Sequence, residues 1–303
     1  MLRKLLKLLG LLLGGLVLLL LVGSGIVYLM TQQRLQRRYT VEIRPVAVPT
    51  NEAAIAHGRH IAATRGCADC HGANFAGRPV IQDPLVGQLH GSNLTRGQGG
   101  LPADYGDLDF VRAIRHGLAS DGRPLVLMPS EEYSHLSDED LGALIAYLKT
   151  LTPVDRRRGP VEPGPLARLL ITLGEIRIGA EHIDHAASRP SRVVAGVTVD
   201  YGRYLAASCT GCHGNNLAGG KIPGAPPDWP AAANLTPHMV SRLPHWTEED
   251  FLRVLRTAQR PDGTEVHPVM PRAFGQMTDD ELKALWVYLR SLPPAAERGP
   301  ASS

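Results

Sequence analysis

The chain has 303 residues, with aromatics at only 5% and with 32 glycines and 24 prolines. A chain of this length holds one or two domains, but few large rings are present to fill a core, so short helices and Gly/Pro loops packed around some other apolar filler are expected. The formal charge of +3 misleads: residues 1–38 carry six Lys/Arg and no acid, the rest carries 26 basic against 29 acidic residues, and no basic tract suits nucleic-acid binding.

From Leu8 to Met30 no residue is charged. These 23 positions are enough to span a bilayer as a helix. They exceed the apolar core of a cleaved signal, about 7–15 residues, and no A-x-A pattern ends them. An uncleaved anchor over 1–38 is expected, with cleavage near Gly23–Gly25 as the alternative. Arg3, Lys4 and Lys7 precede the stretch and Arg34, Arg37 and Arg38 follow it. The flanking charge therefore sets no orientation.

The pentapeptides CADCH at Cys67–His71 and CTGCH at Cys209–His213 use all four cysteines. The pattern C-x-x-C-H reads as a c-type haem attachment site. Residues three apart share a helix face, so Cys67 and Cys70, and likewise Cys209 and Cys212, can each hold one haem edge while His71 and His213 reach the iron. A zinc ribbon expects its two CxxC knuckles about fifteen to twenty residues apart, and a thioredoxin-like pair expects a βαβ setting. Neither condition is met, and structural disulfides are the remaining rival. Two covalently bound haem c groups are the expected cofactors, supplying the apolar surface that the composition lacks.

The surroundings of the two motifs repeat. HGRHIAATRGCADCHG and YGRYLAASCTGCHG align from Gly58 and Gly202; Asn93-Leu94-Thr95 matches Asn234-Leu235-Thr236; Asp109-Phe110 matches Asp250-Phe251; Arg115 matches Arg256; Met128-Pro129 matches Met270-Pro271. The offset stays at 141 or 142 from the NLT motif onward. Two copies of one domain are expected, at 48–155 and 195–295, with a connection at 156–194 and a tail at 296–303.

Each copy reads as helical. Helices are expected to start near Asn51 and Tyr201, ahead of each CxxCH. Middle helices are expected from Asp109 to His116, ended by Gly117, and from Glu248 to about Ala258 behind Thr247. Ser137 is a good N-cap for a stripe of Leu141, Leu144, Ile145 and Leu148. Thr278 and Glu281 form a capping box before Leu282, Leu285, Trp286 and Leu289. No alternating strand pattern is evident. In the connection, Arg156–Arg158 reads as a solvated charge run, and the apolar Leu166–Leu173 as packing between the domains.

A haem iron bound by one His needs its sixth ligand explained, and Met/His coordination raises the potential. Met128 and Met270 each lie 61 residues after the first cysteine of their copy, and each precedes Pro and the last helix. They are the expected distal ligands; Met239 and Met277 are expected to pack. His90, His116, His135, His182, His185, His238, His245 and His267 have no histidine at the matching place in the other copy, which argues against a shared bis-histidine arrangement. Arg115 and Arg256 read equally as propionate partners or as solvated helix surface.

GRHIA…CADCHG, NLT, DFVRAIRHG, DGRPLVLMP and LSDEDLGALIAYLKTL resemble the cytochrome c family. The second copy is similar to bacterial dihaem cytochrome c proteins, including cytochrome subunits of periplasmic dehydrogenases. Those subunits often carry three haems, whereas this chain has two attachment motifs. The resemblance implies an all-α fold of two tandem cytochrome c-like domains behind one transmembrane helix. It implies a bacterial inner-membrane protein, N-terminus cytoplasmic and haem domains periplasmic. Electrons would pass from a dehydrogenase or quinol-linked donor to a downstream cytochrome or terminal oxidase. A dihaem peroxidase is the alternative; it needs an open distal site, which the matched methionines oppose.

Overall fold

The computed structural model describes residues 1–157, 159–226 and 228–296. Arg158 and residues 297–303, nearly all of the expected tail, lie outside the described residues.

Helix α1 (Leu2–Gln36) is long and apolar enough to cross a membrane, and among the described residues its apolar window is 0% buried. The first copy then builds five helices. Asn51 caps α2 (Glu52–Thr64), its side chain accepting from the Ala54 N–H at 2.9 Å. Helix α3 is the haem motif itself (Cys67–His71). Then come α4 (Asp107–His116), α5 (Ser130–Tyr133) and α6 (Asp138–Lys149), the last capped by Ser137 as its sequence predicts.

The connection supplies α7 (Pro165–Thr172), with Pro at its first turn where the missing N–H costs nothing. The second copy has α8 (Val199–Ala206), capped by Thr198, and α9 (Thr210–His213). It continues with α10 (Glu248–Thr257) and α11 (Asp279–Ser291), both opened by capping boxes.

In each copy the first helix crosses the last, α2 against α6 and α8 against α11. The crossings are made possible by Gly58 and Gly202. A Cβ at Gly58 would overlap the Ala143 carbonyl, and one at Gly202 the Ala284 carbonyl. The predicted stripes face inward: Leu141, Leu144, Ile145 and Leu148 are buried in the first core, and Leu282, Leu285 and Leu289 in the second. Met277 is buried at 1% exposure, in keeping with its expected packing role, whereas Met239, also expected to pack, stands 83% exposed.

The fold is mostly helical, with one small sheet that the sequence did not betray. Strands β1 (Pro79–Asp83), β2 (Gly87–His90) and β3 (Glu162–Pro163) pair antiparallel in that order. They run five, four and two residues, too short to display a period of two. The sheet fastens the connection to the first copy.

The connection also differs from expectation. Helix α7 packs on the end of α1 and not between the domains. Thr31 is fully buried there, its hydroxyl 2.9 Å from the Thr172 hydroxyl and donating to the Arg168 carbonyl at 3.1 Å. Arg34 pairs with Glu181. Arg156 is not merely solvated, because it donates to the Gly77 carbonyl at 3.0 Å.

The two copies meet through α2, α6, α8 and α11. His60 Nε2 lies 2.8 Å from Glu281 across the interface, and Tyr204 donates to Asp140, which also holds His57. Burial works against the Asp140 carboxylate, but the His57 and Tyr204 hydrogen bonds outweigh it and hold its pKa low.

Candidate redox centres

The CxxCH segments are short helices followed by identical loops. The Gly77 N–H returns to the His71 carbonyl at 2.7 Å, and the Gly219 N–H to that of His213 at 2.9 Å. This fixes the position of each histidine. Its rotation is set by a second contact: His71 Nδ1 lies 2.8 Å from the Ser92 carbonyl and His213 Nδ1 2.7 Å from that of Ala233. A carbonyl only accepts, so Nδ1 carries the proton and Nε2 holds the lone pair that binds a metal. Burial holds the His71 pKa below its ordinary value, which keeps the ring neutral.

Ser92 and Ala233 each precede an NLT motif, and this explains why the motif repeats. Asn93 accepts from the Thr95 N–H (2.9 Å) and hydroxyl (2.8 Å) and donates to the Val154 carbonyl at 2.8 Å. The Val154 N–H returns to Thr95 at 2.9 Å. Asn234 and Thr236 make the same four bonds, with Ala295 in place of Val154. Each clasp ties the chain leaving the last helix to the carbonyl that aligns the histidine. The sequence marked these residues by repetition, but not their task, since the partner lies about sixty positions away.

The four thiols are not disulfide-bonded. Burial pushes Cys67 and Cys209 up to about 12 and raises Cys70. Among the described residues no three His, Cys, Asp or Glu converge as a metal cluster.

In the first copy, Cys67, Cys70, His71 and Met128 line one cavity whose other walls include Leu94, Phe110, Ile114 and Leu144. An apolar slot with two thiols and an oriented imidazole at one wall, and a thioether in the lining, fits a covalently held haem. In the second copy Cys209 packs on the core beside Leu205 and Leu217, while Met270 sits half-buried on the loop before α11.

Arg115 and Arg256 turn out to brace the fold. Arg115 binds Asp138 (2.8 Å) and the Leu136 carbonyl (2.9 Å); Arg256 binds Asp279 (2.7 Å) and the Gly275 carbonyl (2.5 Å). Both join the middle helix to the start of the last.

A residue that the sequence did not single out joins the centres. Arg65, two positions before Cys67, is nearly buried and crosses to the other copy, donating to the Leu205 carbonyl at 3.1 Å and Ser208 Oγ at 2.9 Å. Tyr133 donates to the Arg65 carbonyl at 3.0 Å. Glu132 presses against Gly211 of the second motif, and burial, with Glu131 beside it, pushes its carboxyl up to about 7. The two attachment motifs therefore lie on facing sides of one interface.

The cytochrome c family profile matches residues 55–152 and 199–293. The chain belongs to the cytochrome c family. Its cytochrome c domains imply covalently bound haem c. Among curated proteins it is similar to the fructose dehydrogenase cytochrome subunit of Gluconobacter japonicus, 28% identical over 84% of this chain and 56% of that one. It is also similar to the gluconate 2-dehydrogenase cytochrome c subunit of Pantoea cypripedii, 29% identical over 80% of this chain and 60% of that one. A dihaem cytochrome c-type protein of Cereibacter sphaeroides is 28% identical over 80% of this cytochrome and 87% of its own length. The cytochrome thus spans little more than half the length of the two dehydrogenase subunits.

Proposed function

We propose that this cytochrome is a membrane-anchored dihaem electron carrier. Its units over 48–155 and 195–295 would hold one haem each, and α1 would anchor it with the N-terminus cytoplasmic and the haem units periplasmic. Cys67 and Cys70 would bind the first haem covalently, with His71 and Met128 as axial ligands. Cys209, Cys212, His213 and Met270 would do the same for the second. Haem c, so bound, supplies an iron that cycles between Fe(II) and Fe(III) at a potential raised by methionine ligation. The protein's share is to fix the imidazoles through Ser92 and Ala233, exclude water with the apolar walls, and hold the two motifs together through Arg65.

The observation that carries this reading is the pair of identical His–carbonyl–NLT assemblies facing each other across one interface. The named relatives support a dehydrogenase as donor, with a quinol-linked donor as the alternative; a downstream cytochrome or terminal oxidase would be the acceptor. The cytochrome would carry electrons, not catalyse the oxidation.

Met128→Ala and Met270→Ala test the ligands. Each variant is expected to keep both covalent haems, lose one sulfur-to-iron absorption band and lower one potential. A band unchanged in either variant shows that the assigned methionine is not a ligand. Peroxide turnover by the unaltered protein, with a high-spin iron, would replace the carrier reading with a dihaem peroxidase.

A further inference from the structure

Helix α7 has three sides, and only two of them are covered. Ala167 and Ile171 are buried, at 2% and 1% exposure. Arg168 and Thr172 face α1: the Arg168 guanidinium lies 4.4 Å from the centre of the Tyr28 ring and donates to Gln32 at 3.3 Å. The third side carries Leu166, Leu169 and Leu173, all exposed, at an i, i+3, i+7 spacing that ordinarily marks a buried stripe. Leu85, exposed in the β1–β2 turn, extends the patch, since its carbonyl accepts the Leu166 N–H at 3.0 Å.

This patch is continuous with the flank of α1. Leu85, Leu166 and Leu169 line one groove together with Leu19, Leu20 and Tyr28 of the long helix. The level along α1 is also defined. Its apolar run ends at Met30, and α7 packs on Thr31, one residue on. At 1.5 Å per residue this is the edge of the hydrocarbon. Tyr28 stands where aromatic side chains favour the membrane interface. Arg168 lays its stem on the helix and finds partners for its charge, as a snorkelling side chain does. The Arg34–Glu181 pair and Arg37 follow on the outer side.

We propose that Leu85, Leu166, Leu169 and Leu173 form a foot that enters the bilayer beside α1, covered by phospholipid acyl chains at the headgroup boundary. This rests on the reading of α1 as an anchor. The foot gives the first haem unit a second point of attachment and fixes its tilt on the membrane. Leu125 and Val126 line both this groove and the first haem cavity, so that centre is held close to the lipid surface.

The test uses the haem-loaded, full-length protein in phosphatidylcholine vesicles whose acyl chains carry bromine either near the headgroup or near the bilayer centre. Single variants Leu169→Cys, Val22→Cys and Leu108→Cys, all at exposed positions, carry an environment-sensitive fluorophore. Val22 reports the anchor and Leu108, on α4, reports solvent. The label at 169 is expected to be quenched at least threefold more than the label at 108, and more by shallow than by deep bromine. The label at 22 is expected to show the opposite depth order. Quenching at 22 but not at 169 overturns the foot and leaves the anchor standing. Absence of quenching at both overturns the anchor and the foot with it. A label at 169 that is shielded from aqueous iodide yet untouched by bromine shows that protein covers the patch, and this also overturns the proposal.

Discussion

Before Met128 stand Leu125, Val126 and Leu127, which line its cavity, and Val161 of the connection closes over them. The matching positions before Met270 are His267, Pro268 and Val269, the first two exposed. The frames are nonetheless the same: glycine crossing, motif loop and NLT clasp recur bond for bond, and the arginine brace repeats its aspartate contact, Arg115 to Asp138 and Arg256 to Asp279. Duplication preserved what holds an imidazole in place and released what surrounds the opposite face. The first unit is wrapped by the sheet, α7 and α1, and the second leaves His267 and Pro268 exposed beside its methionine.

The largest expected effect tests the shared frame. Gly58→Ala and Gly202→Ala each force backbone apart at a helix crossing, and each should destabilise its own unit by about 4 kcal/mol or more. Denaturant unfolding followed at the haem bands should show two transitions in either variant; one shared transition would mean that the units unfold only together.

Asn93→Ala and Asn234→Ala remove matched clasps that leave buried partners unsatisfied, and about 2–3 kcal/mol should be lost at each. If the Asn93 variant loses markedly less, the wrapping by the connection holds Val154 without the clasp.

A third prediction separates the units by pH. His116, at the end of α4, is buried against His185 (Nδ1 to Nδ1, 3.0 Å), and burial, followed by the His185 charge, lowers its pKa to about 4. Thr257 occupies the matching place. Between about 4 and the ordinary histidine value of about 6.5 the unfolded chain binds the proton and the folded chain does not. Stability should therefore rise with pH through that window and flatten above it, by about 2 kcal/mol relative to His116→Gln. Equal slopes in the two proteins would show that His116 titrates normally.

The smallest effect concerns the end of the middle helix. Gly117 ends α4 at φ 66°, whereas Ala258 ends α10 at φ 60°, a conformation costly for a residue with a side chain. Ala258→Gly should raise the melting temperature of the second unit through a gain of about 1 kcal/mol. Gly117→Ala should do the reverse, since its Cβ would also meet Ser130.

What the sequence disclosed were features whose cause is local or repeated. The caps at Asn51, Ser137 and Thr278 each act within three residues. The leucine stripes follow the helix period, and the duplication supplied its own alignment. Features that depend on docking stayed hidden. Arg65 sits in an unremarkable helix end until the other copy arrives. Nothing in the sequence marked Asp140, Tyr204 or His60 as interface residues, and Glu281 showed only its place in a capping box. Helix α7 showed only that it was apolar, and its setting depended on where α1 ends. The left-handed Ala258 left no trace, because alanine is the residue least suggestive of a turn.

The contact between Thr31 and Thr172 joins residues 141 positions apart. A chain made from its N-terminus has α1 in place, and the whole first haem unit beyond it, before α7 exists. The footing of the long helix therefore closes late, after the whole first unit has been made.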